Sequence, residues 1–93
     1  MELEKIFTEI VALCKEHGAV TVTLFGSRAK GTQRERSDID IAVTGAKDFD
    51  LLVEQIEDIP TLYSIDVINM DQCGNELLRE DIDKYGRKIY EKI

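Results

Sequence analysis

The apolar residues of this chain follow two periods in turn, which restricts it to helices layered on a short sheet. Leu3, Ile6, Phe7, Ile10, Leu13 and Cys14 recur at three- and four-residue steps. They form one face of a helix reaching His17, and Gly18 offers its stop. The run AVTVTLF over 19–25 then sets Val20, Val22 and Leu24 against Thr21, Thr23 and Phe25, the two-residue period of a strand rich in β-branched residues. SDIDIAV over 37–43 repeats that period, with Asp38 and Asp40 on one face and Ile39, Ile41 and Val43 on the other. Phe49, Leu52, Val53, Ile56 and Ile59 make a second amphipathic helix, ended by Pro60. In YSIDVI over 63–68, Ile65 and Val67 face a core and Asp66 the opposite side. Asn75 caps a helix through Leu77, Leu78 and Ile82 that Gly86 ends. The polar segment 28–37 reads as a short turn or helical turn followed by a loop, and the periods of the tail RKIYEKI do not choose between strand and helix.

With 93 residues, 43% of them hydrophobic and 33% charged, the expectation is a single folded domain over 1–93. No stretch approaches the length of a membrane span, and MELEKIFTEI has acidic residues where a signal peptide needs positive ones, so a cytoplasmic location without a membrane is expected. Cys14 and Cys73 form no CxxC unit and read as ordinary thiols, the first of them buried. A net charge of -7 argues against a nucleic-acid partner held by phosphate neutralisation. It leaves a nucleotide substrate open, because bound Mg²⁺ inverts the local charge of a carboxylate cluster.

Asp38 and Asp40 are the first candidates for such a cluster. Residues i and i+2 of a strand project from one face, roughly 7 Å apart, and two like charges there are destabilising unless a cation compensates them. Asp66 has the parity to join them if its strand lies alongside. Three carboxylates would then form an oxygen-rich site suited to Mg²⁺, with room for two ions about 4 Å apart. The bland alternative is three solvated strand carboxylates. At the end of the first strand, Gly26 and Ser27 let backbone approach a phosphate, and Arg28 and Lys30 follow at once with positive charge. Gly-Ser is also an ordinary turn, and neither a Walker A loop nor a GxGxxG fingerprint is present.

Gly26-Ser27, ten residues, then Asp38-Ile39-Asp40 together match the GS-x10-DxD signature of the DNA polymerase β-like nucleotidyltransferases. The string GSRAKGTQRERSDIDIAV, the later IDVI and the terminal REDIDKYGRKIYE resemble the minimal members of that superfamily, which pair with HEPN-type toxins. The resemblance implies an α/β (α+β) fold: a short mixed sheet with helices mainly on one face, the site on the other, and a final strand near 88–90. It implies that Asp38 and Asp40 bridge two Mg²⁺ ions and that Asp66 binds the catalytic one. Gly26, Ser27 and Arg28 would hold the triphosphate of ATP. Lys30 stands where relatives often carry arginine, which keeps charge and loses bidentate geometry.

The activity implied is transfer of AMP to a tyrosine of a HEPN-family toxin, with this chain as the antitoxin. Transfer to an RNA 3' end is the runner-up, and neutralisation of a partner by contact alone is the non-enzymatic alternative. A small-molecule transferase would need a deeper acceptor pocket than so short a chain builds. His17 reads as a helix-end residue, and Tyr63, Tyr85 and Tyr90 as packing or interface residues. Glu35 and Arg36 are expected in the loop above the proposed site, either touching a nucleotide or as solvated loop charges. An edge strand would also permit a homodimer.

Overall fold

A computed structural model describes residues 2–31 and 38–93, the side chains of Ser27 and Lys30 excepted. Four strands form one mixed sheet in the order β3-β2-β1-β4: β1 (Thr21–Phe25), β2 (Ile39–Thr44), β3 (Ile65–Asn69) and β4 (Arg87–Glu91). The pairs β1/β2 and β1/β4 run antiparallel, while β2/β3 is parallel, its connection carrying α3 (Phe49–Glu57). That geometry requires a crossover, and the Phe49 to Ile59 apolar stripe supplies one that packs back on the sheet.

The main core lies between one sheet face and two helices. Ile6, Ile10 and Cys14 of α1 (Leu3–Glu16) and Leu52 and Ile56 of α3 meet Val22, Leu24, Ile39, Ile41 and Val43. Every residue in this set is essentially inaccessible, and each large aliphatic side chain contributes about 1.5–3 kcal/mol. Cys14 is confirmed as a core thiol, and burial pushes its pKa up to about 11. Gly18 terminates α1 at φ +77°, a conformation that a residue with a Cβ resists.

The opposite face holds a smaller cluster of Phe25, Ala42, Met70 and Ile82, flanked by Ile68 and Leu78. The helix α4 (Glu76–Tyr85) covers this part of the sheet, and a 3₁₀ turn (Met70–Gln72) that periodicity did not announce leads into it. The two helices carrying the main core thus share one face, and α4 shields only part of the other. Asn75 caps α4 as expected, its Oδ1 accepting from the Leu78 N–H at 3.1 Å. Asn75→Ala should cost about 1 kcal/mol, lowering Tm by about 4–8 °C in a thermal melt. The tail forms a strand, with Ile89 packed toward the main core. No helix among the described residues is long and apolar enough to cross a membrane.

His17 does more than end α1. Its Nδ1 lies 2.7 Å from the Lys47 carbonyl and its Nε2 2.7 Å from Gln55 Oε1, so the ring ties α1 to α3. The Gln55 and Lys47 hydrogen bonds raise its pKa above the usual 6.5; Asp48 and Glu16 add to the rise, and slight burial opposes it. A raised folded-state pKa gives stability that is complete below the ordinary imidazole range and disappears as pH rises through the folded value. Melts of wild type and His17→Ala should therefore differ more at about pH 5.5 than at about pH 8.5. A constant difference would assign His17 a packing role alone.

Candidate functional site

Parity sets the faces of this sheet: odd positions of β2 and β3 turn to the main core, and Asp40 and Asp66 turn the other way. The parallel register then makes these two carboxylates direct neighbours, Asp40 opposite Asp66, just as Ile39 stands opposite Ile65. Asp38 lies one residue ahead of β2 and is exposed. Asp40 is half-buried and Asp66 exposed, so the group grades from sheet to solvent.

The electrostatics of Asp40 reflect this crowding. Partial burial is the largest cause raising its pKa, followed by the negative charges of Asp66 and Asp38 and by a hydrogen bond to Asp66. Each of these causes acts against the ionised form. Among the described residues, no three His, Cys, Asp or Glu side chains are drawn together into a ready-made metal-ligand group. The donor set is nonetheless all oxygen, and its mutual repulsion is what a hard divalent cation relieves.

Gly26 closes in from β1. Phe25 pairs with Asp40, and Gly26 then turns the chain at φ +75°. A Cβ at this position would collide with Asp40 Oδ2 and stand 3.3 Å from Asp40 Cγ. Glycine is thus required both by the backbone conformation and by the carboxylate beside it. The turn leads into α2 (Ser27–Lys30), a single helical turn, the second of the two forms expected for this segment. Ser27 and Lys30 are placed by backbone only, and Glu35 and Arg36 lie outside the described residues.

Arg28 projects from α2 onto Tyr63, with its Cζ 5.0 Å from the ring centroid. Tyr63 also packs against the main core, as expected, and its contact with Arg28 is one that sequence reading missed. The signal was out of reach of periodicity, since the two residues belong to segments that meet only when β3 pairs with β2.

The fold of this chain recurs in known proteins. The family model "Polymerase beta, Nucleotidyltransferase" matches residues 8–93. A Methanocaldococcus jannaschii protein that bears the name of a protein adenylyltransferase is 33% identical over 96 residues, covering 99% of this chain and 95% of that one. Among solved structures, a toxin–antitoxin with AMP-PNP superposes with a TM-score of 0.71 at 23% identity, over 92% of this chain and 73% of the other. A variant of the MntA–HpeT toxin–antitoxin gives 0.69 at 21% identity, over 92% and 73%. These superpositions establish a shared fold; the family model and the archaeal relative go further. The chain belongs to the polymerase β nucleotidyltransferase family.

Proposed function

We propose that this chain is a single-domain, cytoplasmic protein adenylyltransferase that moves AMP from ATP to a hydroxyl of a partner protein, a tyrosine of a HEPN-type toxin, and so acts as an antitoxin. The observation that carries the reading is the placement of Asp40 beside Asp66 with Gly26 closed against it. The named activity of the archaeal relative supports protein as the acceptor, and the toxin–antitoxin assemblies of the same fold support the class of partner.

Asp38, Asp40 and Asp66 would hold two Mg²⁺ ions. Those ions would supply charge neutralisation for the triphosphate and a lowered pKa for the attacking hydroxyl. The chain's own residues position the reactants. Gly26, which has no side chain of its own to keep the phosphates away, and Ser27 would place the triphosphate against the end of β1, and Arg28 and Lys30 would offset its negative charge. The acceptor oxygen attacks the α-phosphorus in line, its proton passes to Asp66 or to solvent, and the bond to the bridging oxygen breaks to release pyrophosphate. Such a reaction relies on alignment and electrostatic stabilisation, without a covalent enzyme intermediate. The net charge of -7 disfavours RNA as the acceptor.

The test is transfer of label from ATP carrying it at the α- or the γ-phosphorus, with Mg²⁺ and a lysate of the native host. Label from the α position alone on a single protein band supports the reading and identifies the partner. Label on RNA moves the acceptor to nucleic acid. A folded chain that labels nothing in a lysate containing its partner is a binding module on a transferase fold.

A further inference from the structure

We infer that Tyr63 is a positioning residue that presents the Arg28 guanidinium to the nucleotide triphosphate, a role that rests on the transfer reading above. The guanidinium lies over the Tyr63 ring at 5.0 Å from its centroid. The ring attracts the guanidinium as a cation, whereas a phosphate binds through the guanidinium's in-plane N–H donors. A phosphate that takes the donors turned away from the ring therefore does not compete with it.

The platform itself is fixed. Tyr63 packs against the main core, and its backbone N–H donates to Thr61 Oγ1 at 3.1 Å. The next carbonyl, Ser64, accepts from the Ile39 N–H at 2.8 Å, which anchors the approach to β3 on the start of β2 between Asp38 and Asp40. On the other side, Arg28 follows two residues after Gly26, which abuts the Asp40 carboxylate. The Arg28–Tyr63 contact thus joins the segment that follows β1 to the approach to β3, at the end of the sheet where β2 begins. A ring that favours one Arg28 rotamer reduces the side-chain entropy lost on binding and so strengthens binding without touching the ligand.

Calorimetric titration with a non-hydrolysable ATP analogue and Mg²⁺ tests this. Tyr63→Leu should weaken binding about two- to fivefold, while Tyr63→Phe, which keeps the ring, should stay within about twofold of wild type. In an Arg28→Ala background the Tyr63→Leu change should add less than about twofold, because its effect passes through Arg28. Tyr63→Met, a longer and more adaptable apolar side chain that also lacks the ring, should reproduce the Leu result. An equal loss from Tyr63→Leu with and without Arg28, or a Phe variant as weak as the Leu variant, would overturn the inference while leaving the transfer reading intact. A folded wild-type chain that fails to bind the analogue removes that reading and this inference with it.

Discussion

The Asp40→Asn chain should fold, melt at or above the wild-type temperature without divalent cations, and lose nucleotidyl transfer by about a thousandfold or more. Both halves come from the same crowding. Burial, then Asp66 and Asp38, then the hydrogen bond to Asp66 hold the Asp40 pKa above its ordinary value. A raised carboxyl pKa means that the fold favours the proton, so stability falls as pH climbs from the unfolded value through the folded one. At neutral pH the ionised group is a strain on the fold. An asparagine amide keeps the shape, donates permanently to Asp66 and removes that charge. If Asp40 holds Mg²⁺ as proposed, the site would lose a ligand expected to contribute several kcal/mol to stabilising the transition state, and each 1.4 kcal/mol is about tenfold in rate.

A cation titration separates this from a purely structural role. Mg²⁺ with ATP should raise the wild-type Tm by mass action and leave the variant nearly unchanged. A variant that melts lower than wild type without cations would make the Asp40 carboxylate a structural element. Retained transfer would remove Asp40 from the chemistry.

Parity and position were unequally legible in the sequence. The two-residue period assigns Ile39, Ile41 and Val43 to the core and Asp40 to the other face, because a one-residue slip would bury the carboxylates and expose the isoleucines. The same logic places Ile65 and Val67 opposite Asp66. Parity says nothing about which strands are neighbours, so the pairing of Asp40 with Asp66 became visible only in the parallel register. The GS-x10-DxD resemblance had implied that proximity, along with the final strand that the tail's own periods left undecided. Phe25, Ala42 and Ile68 are apolar residues on the carboxylate face, a hint that something covers it; α4 does so through Ile82. The weak apolar stripe of that helix did not reveal which face it would take. The Arg28–Tyr63 contact lay furthest from reach, since it depends on a loop approach that no local pattern encodes.

Gly26→Ala should damage the chain in a complementary way, reducing stability by about 1–3 kcal/mol and transfer by about a hundredfold or more. Two separate conflicts arise from one methyl group. The backbone sits at φ +75°, where a Cβ is strained. The new Cβ would also collide with Asp40 Oδ2 on the neighbouring strand. Relief requires either a shift of the β1 end, to which Phe25 is paired opposite Asp40, or rotation of the carboxylate out of place. A displacement of about 1 Å at a reacting group is enough for a loss of that size. Placing Gly26→Ala in an Asp40→Ala background divides the two conflicts, since the truncated neighbour removes the collision and leaves the backbone strain. The stability loss should then shrink without vanishing, while activity stays absent. A loss of the same size in both backgrounds would mean that the strained turn alone demands glycine, and that the closeness of Gly26 to Asp40 has no part in holding the carboxylate where the site needs it.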